Sequence, residues 1–134
     1  MLRRISLFLL CAFFMVAGAN HFLNPAPYVA IMPPYLPYHS LLNAISGAAE
    51  IAGGIGVAFA PTRRAAGWGL IALLVAVFPA NVEMLRQGGL PNLPLPTWLL
   101  WGRLPLQIVL IGWVGNVCLR SDPKAASYSV SSTM

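Results

Sequence analysis

Polar and ionisable side chains recur at helical spacing within an otherwise apolar sequence. Arg103 and Gln107 are four residues apart and share one helical face. On an earlier segment, four polar residues follow one another at spacings of four, three and four: His39, Asn43, Ser46 and Glu50. At ~100° per residue these four lie within about 60° of one another. Such groups are costly in lipid, so they face the interior of a helix bundle or a ligand.

Depth along the helix axes places these groups in one half of a membrane. A rise of ~1.5 Å per residue puts Glu50 ~16 Å below the surface if its helix enters at His39. If the last helix enters at Trp98, Arg103 lies ~7 Å deep and Gln107 lies ~13 Å deep. We therefore predict one ligand-binding pocket in the outer half of the bundle, formed by His39, Asn43, Ser46, Glu50, Asn81, Arg103 and Gln107.

An ion pair is expected inside this pocket, because Arg103 keeps its proton and needs an acid or several acceptors. Asn81 and Glu83 lie ~200° apart around their helix, so only one of them faces inward. If Asn81 does, Glu50 is the better partner for Arg103. A Glu50 without that partner is instead expected to be uncharged, since a charge is costly to bury.

Three interpretations of the polar residues remain open. A buried ion pair with amide neighbours can serve only to fix helix register. A ligand-binding or redox-linked pocket is the second interpretation, and a proton or ion path is the third. The path lacks a polar continuation in the cytoplasmic half. No catalytic residue and no metal site is predicted, because His21 and His39 have no further ligands at metal-binding spacing.

The elements that position these residues are four apolar blocks. The 134 residues are 58% hydrophobic and only 8% charged, whereas soluble domains carry about 25% charged residues. Each block is close to the ~20 residues that cross a bilayer as a helix. The blocks cover residues 5–22, 41–60, 65–85 and 98–119. We predict an all-α, up-down-up-down transmembrane bundle over residues 1–120, with the lipid bilayer as its first partner.

Positive charge sets the predicted orientation. Arg86 is alone in the loops of one side, whereas six basic residues fall on the other: Arg3, Arg4, Arg63, Arg64, Arg120 and Lys124. The excess predicts that both termini are cytoplasmic and that residues 121–134 form a disordered cytoplasmic tail. A cleaved signal peptide ending at Ala17-Gly18-Ala19 is the alternative for the first block. The net charge of +5 is dispersed between apolar blocks, which excludes nucleic acid as a partner.

Five short motifs resemble those of the DoxX-like bacterial membrane proteins, over about residues 5–118. They are AGANHF at 17–22, IMPPYLP at 31–37 before His39, SGAAE at 46–50 before Gly53-Gly54, VFPAN at 77–81, and WGRLPLQ at 101–107. The resemblance implies four transmembrane helices and a link to redox or detoxification systems, and it transfers no catalytic residue. Relatives that act on thiols often carry paired cysteines, whereas Cys11 and Cys118 lie far apart.

These observations predict a multi-pass protein of the bacterial inner (plasma) membrane. The expected role is an accessory or redox-linked subunit that holds a lipid-like or quinone-like ligand and contacts a membrane or redox partner protein. The sequence requires no cofactor, and a quinone is the candidate. A small membrane enzyme that uses Glu50 and Arg103 on an apolar substrate is the alternative, and a purely structural membrane protein is a third. The sequence does not decide whether the protein is an enzyme.

The charge count predicts a cytoplasmic C-terminus, which fusion reporters test. A C-terminal fluorescent-protein fusion should glow, and a C-terminal alkaline phosphatase fusion should be inactive. An active phosphatase together with a dark fluorescent fusion would contradict the predicted orientation.

Overall fold

A computed structural model of the protein describes Met1–Arg120; the predicted tail at 121–134 lies outside the described residues. Four helical spans are long and apolar enough to cross a membrane: Leu2–Leu23, His39–Ala58, Arg63–Gln87 and Thr97–Cys118. The predicted all-α four-helix architecture is therefore confirmed. Which end of the bundle faces the cytoplasm remains a prediction from the charge count.

The helices, in chain order, are α1 (Leu2–Leu23), α2 (Ala26–Ala30), α3 (His39–Ala58), α4 (Arg63–Ala76), α5 (Phe78–Gln87) and α6 (Thr97–Val114). A π-helical turn, Gly115–Leu119, continues α6. Short helix α2 lies within the proline-rich connection between α1 and α3. The connection between α5 and α6 holds an antiparallel pair of two-residue strands, β1 (Gly89–Leu90) and β2 (Leu93–Pro94), which the sequence analysis does not predict.

Glycines bring α1 and α3 into close contact. A Cβ added at Gly18 would lie 2.7 Å from the carbonyl oxygen of Gly47, and one added at Gly54 would lie 3.1 Å from the carbonyl oxygen of Cys11. The two contacts have opposite order along the two helices, so α1 and α3 run antiparallel. Small residues at such crossings allow close backbone packing, which is a main source of helix association in lipid.

The third span is two helices joined at Val77. Pro79 lacks the N–H that would bond to the preceding turn, so the α-helical ladder is interrupted there. The carbonyl of Val77 instead accepts bonds from the backbone N–H groups of Ala80, at 3.1 Å, and Asn81, at 3.4 Å. The interruption sets the direction of α5 separately from that of α4.

The bundle has an apolar half and a polar half. The main core near the N-terminal end is formed by Leu10, Phe14, Val57, Leu70, Leu74, Val114, Val117 and Cys118. A Cβ added at Gly67 would lie 2.6 Å from the Cβ of Cys118, which shows how closely α4 packs against the end of the last span. Buried polar residues lie toward the opposite end, called the distal half below: His21, Asn43, Glu83 and Gln107.

The close crossing of α1 and α3 should be sensitive to a single methyl group. Gly18→Ala would place its Cβ against the backbone of α3, and we expect a loss of about 1–3 kcal/mol, as for other overpacked sites. Gly69→Ala is the matched control, because nothing lies within 4 Å of its added Cβ. Alanine has the higher helix propensity, so the control should be neutral or stabilising. Equal melting temperatures of the two variants in detergent would contradict the proposed packing.

Candidate functional site

A cavity of about 170 Å³ lies between the helices in the distal half of the bundle. We call it the polar cavity. Five of the six helices, the segment after α2, and the interruption at Val77 contribute to its wall. Its lining residues are His21, Tyr28, Ile31, Met32, Ser46, Glu50, Val77, Ala80, Asn81 and Arg103.

One wall is held by a double hydrogen bond between α1 and α3. The side-chain amide of Asn43 donates from Nδ2 to the carbonyl oxygen of His21 at 2.9 Å. That bond orients Asn43 Oδ1 toward His21 Nδ1, 2.7 Å away. An amide oxygen only accepts, so His21 Nδ1 carries a proton and donates it. Both residues are buried, and the bonds satisfy the polar atoms that burial would otherwise leave unpaired.

The other nitrogen of the same imidazole faces a carboxyl group. His21 Nε2 lies 3.7 Å from Glu50 Oε2, which is buried and has no hydrogen-bond partner among residues 1–120. Because Nδ1 holds one proton, a neutral imidazole presents a lone pair at Nε2. If either Nε2 or Oε2 carries a proton, the contact between them is favourable. If neither does, the lone pair of Nε2 faces a negatively charged carboxylate, which is unfavourable. His21 and Glu50 therefore form a pair suited to holding one proton between them.

Tyr28 fixes the plane of that imidazole. Its ring stacks on the His21 ring with centroids 3.8 Å apart and an interplanar angle of 23°. The phenolic oxygen accepts a hydrogen bond from Asn20 Nδ2 at 2.7 Å, which ties α2 to the end of α1. Tyr28 thus brings α2 to the polar cavity and holds one face of the histidine ring, whereas Asn43 holds its edge.

On the facing wall, three hydrogen bonds follow one another, each passing from donor to acceptor in the same direction. Arg103 Nη2 donates to Asn81 Oδ1 at 3.4 Å, and Asn81 Nδ2 donates to Gln107 Oε1 at 2.7 Å. Gln107 Nε2 then donates to the carbonyl oxygen of Leu74. Leu74 lies in the last turn of α4, where carbonyl groups lack a partner within the helix. The chain therefore closes the end of α4 and orients Asn81 and Arg103 at the cavity.

The predicted ligand-binding residues fall into three groups. Ser46, Glu50, Asn81 and Arg103 line the polar cavity. Asn43 and Gln107 lie behind the wall, and their hydrogen bonds hold it together. His39 does not line the cavity: it begins α3, and its Nε2 lies 3.1 Å from the carbonyl oxygen of Pro33, so it holds the first connection in place.

The expected ion pair between Glu50 and Arg103 does not form within residues 1–120. Both residues line the polar cavity, but the basic group closest to Glu50 is His21, and Arg103 reaches Asn81 instead. The prediction was wrong because spacing within a helix does not specify which neighbouring helix packs against Glu50, and α1 brings His21 there. As expected, Glu83 does not share the orientation of Asn81; it binds Arg86 at 2.7 Å.

Two residues of the site, His21 and Tyr28, were missed by the sequence analysis. Position 21 extends the buried stripe of α1, whose members follow at spacings of four, four and three: Leu10, Phe14, Gly18 and His21. That periodicity was a usable signal that His21 faces the bundle. Tyr28 carries no comparable signal, because its position depends on how the proline-rich connection folds back.

A comparison with known protein families identifies the family to which the chain belongs. A family model described as a domain of unknown function, DUF8561, matches residues 10–118. The chain belongs to this family. The match covers every residue that lines the polar cavity. No curated protein and no solved structure matches the chain significantly.

The polar cavity of this DUF8561 chain combines three kinds of surface. His21 and Glu50 offer a proton-holding pair on one side, and the permanently charged guanidinium of Arg103 lies on the other. Apolar side chains, among them Met32 and Val77, form most of the remaining lining. Within the described part of the chain, no three His, Cys, Asp or Glu side chains are grouped closely enough to hold a metal ion. The surfaces fit a small head group with oxygen atoms and an apolar body.

The Asn43–His21 contact predicts strong coupling between the two positions. Asn43→Leu leaves His21 Nδ1–H and a buried carbonyl without partners, and should destabilise the protein by about 1–3 kcal/mol. Asn116→Leu is the control, because Asn116 is exposed and its bond to Arg120 lies at the surface. The double variant Asn43→Leu with His21→Leu should lose less than the sum of the single variants. Additive losses in detergent-solubilised unfolding would show that the two side chains do not interact.

Proposed function

We propose that this protein is a small accessory protein of the bacterial inner membrane that holds the head group of a lipid-like or quinone-like molecule in the polar cavity. One observation carries the proposal: Glu50 Oε2 is buried beside the cavity and has no hydrogen-bond partner in the part of the chain that the structure describes. An unsatisfied buried polar atom is costly, and a ligand hydroxyl or carbonyl-bearing ring can offset that cost.

The size of the cavity supports a ring-shaped or similarly compact head group. Engineered protein cavities of about 150 Å³ accept benzene, and the polar cavity measures about 170 Å³. It is too small for a whole lipid, so the apolar tail would lie along the helix surfaces that face the bilayer. Arg103 is exposed, so its guanidinium can meet an oxygen of the head group from the opening side.

The proton-holding pair favours a redox-active ligand over an inert one. A quinone takes up two electrons and two protons when it becomes a quinol, so a binding site gains from a group that gives or accepts a proton. His21 and Glu50 lie together at the cavity and can serve this purpose. Electrons would come from a redox partner protein, which the proposed accessory role requires.

The resemblance to DoxX-like proteins supports the same redox-linked role. It rests on the five motifs over residues 5–118, and each of the five supplies at least one residue that lines the cavity. We propose that the chain is related to that group and works with a membrane or redox partner. The cytoplasmic placement of both termini belongs to this proposal and rests on the charge count.

A second candidate is a small membrane enzyme. The pairing of His21 with Glu50 beside an exposed arginine provides an acid–base group and an electrostatic partner, which are common elements of catalytic sites. The two roles differ in what the isolated chain does. An accessory protein should be recovered with a stable partner after mild solubilisation, whereas an enzyme should turn over its substrate alone.

Binding of a short-tailed benzoquinone, decylubiquinone, tests the proposal. Native mass spectrometry of the full chain in mild detergent should show a one-to-one adduct. Glu50→Leu and Arg103→Leu should each weaken it about tenfold or more, because each removes a charge-assisted hydrogen bond. Arg86→Leu is the matched control for Arg103, since Arg86 is exposed and outside the cavity. Cys11→Ala and Cys118→Ala should leave binding unchanged.

The opposite pattern would overturn the proposal. In that pattern, decylubiquinone binds Glu50→Leu and Arg103→Leu as tightly as it binds the wild type, and lipids with a free hydroxyl or amine head group do the same. The polar cavity is then not the binding site of these molecules. The interpretation that the polar residues only fix helix register would then stand.

A further inference from the structure

The Asn43 amide fixes which nitrogen of the His21 ring remains for a ligand in the polar cavity. Asn43 Nδ2 donates to the carbonyl oxygen of His21 at 2.9 Å, so Asn43 Oδ1 is the atom that meets His21 Nδ1 at 2.7 Å. An amide oxygen only accepts, and the proton on Nδ1 is therefore committed to this bond. His21 Nε2 is the ring nitrogen that is left, and it lies 3.7 Å from Glu50 Oε2.

That distance is too long for a direct hydrogen bond and short enough for one bridging atom. Hydrogen bonds between nitrogen and oxygen span ~2.7–3.2 Å, and Glu50 Oε2 has no hydrogen-bond partner among residues 1–120. An oxygen atom ~2.8 Å from both Nε2 and Oε2 would complete a triangle with them. Both residues line the polar cavity, so a ligand there can supply that oxygen.

The number of protons on Nε2 and Oε2 decides which ligand atom fits between them. With one proton, either atom is a donor and the other is an acceptor. With none, both are acceptors. With two, both are donors, but that state places a positive charge inside the membrane-spanning part of the bundle, where a charge is costly. Arg103 lines the same cavity and carries a permanent positive charge, which disfavours the two-proton state further.

A hydroxyl group satisfies the pair of His21 and Glu50, whereas a carbonyl group does not. A hydroxyl both donates and accepts, so it can accept from the atom that carries the proton and donate to the other atom. A carbonyl oxygen only accepts. It leaves the second atom of the pair buried without a donor, with lone pairs facing one another. The same ranking holds when the pair carries no proton, because the carbonyl then finds no donor at all.

We propose that the polar cavity selects a hydroxyl group on an apolar ring. A quinone-like ligand is then held more tightly in its reduced, hydroxyl-bearing form than in its oxidised, carbonyl-bearing form. This inference rests on the function proposed above and names the class of ligand within it. The cavity volume of about 170 Å³ suits a six-membered ring, and apolar side chains such as Ile31 and Ala80 are part of the lining. Sites that bond a hydroxyl group discriminate strongly against analogues that lack it.

Two pairs of probes with matched heavy atoms test this selection. Decylubiquinol and decylubiquinone differ in redox state, whereas 4-hexylcyclohexanol and 4-hexylcyclohexanone present a hydroxyl and a carbonyl without quinone chemistry. Each probe would be titrated separately into the purified full chain in mild detergent, under argon for the quinol, and followed by native mass spectrometry. We expect each hydroxyl form to bind about tenfold more tightly than its carbonyl counterpart, because the carbonyl leaves a buried polar atom unpaired.

The isosteric variant Glu50→Gln should lose this preference while it retains binding. An amide places an N–H group where the carboxylate oxygen was, so a carbonyl finds a donor, and the ratio of the two affinities should fall below about threefold. Glu83→Gln is the matched control, because Glu83 binds Arg86 outside the cavity. In that variant the ratio should stay at the wild-type value.

Three results would overturn the inference, and they separate it from the proposed function. Equal affinity of the hydroxyl and carbonyl probes in the wild type, with each affinity lowered by Arg103→Leu, would leave the proposed ligand site standing and remove the selection. A preference that persists unchanged in Glu50→Gln would show that the carboxyl group does not discriminate between the probes. If none of the four probes binds the wild type, the proposed function fails, and this inference fails with it.

Discussion

The close crossing of α1 and α3 is the contact on which the rest of the site depends. Gly18 and Gly47 allow the two backbones to meet, and a Cβ on Gly47 would lie 2.6 Å from the Cβ of His21. Only at this separation can Asn43 bond both the ring and the carbonyl of His21. The double bond then turns Nε2 toward Glu50 and the cavity. Side-chain hydrogen bonds between membrane helices average below 1 kcal/mol, so the glycine packing provides the association and the amide sets the geometry.

Much of the fold followed from the sequence because lipid leaves few choices. A chain of this apolar composition must satisfy its backbone internally, so block length and proline positions were sufficient to locate four helices. Periodicity also identified which residues of α3 share a face, and three of the four predicted there line the cavity or hold its wall. Partner choice did not follow, because it depends on the rotation of one helix against another. Glu50 meets His21 rather than Arg103 through the crossing of α1 with α3, which helical spacing within either segment does not specify.

The interruption at Val77 shows how a local defect becomes part of a site. Proline removes a backbone hydrogen bond from the third span, and the backbone groups at the interruption must find other partners. Gln107 supplies a donor to the carbonyl of Leu74 from the neighbouring helix, and its other amide atom orients Asn81 toward Arg103. The proline and the glutamine were both visible in the sequence, but their connection was not. The relation between them is a contact between two spans, and it appears only when the helices are packed.

The distribution of charge along the bundle separates its two halves. Both described acids lie in the distal half, and each has a basic neighbour there. Arginines from three helix ends gather at the other end: Arg3, Arg63, Arg64 and Arg120. The basic residues that predict the orientation of the chain are therefore close together in the fold as well as on one side of the charge count. In the distal half, by contrast, the imidazole of His21 faces the carboxyl group of Glu50, so that half carries the groups on which the proposed ligand site rests.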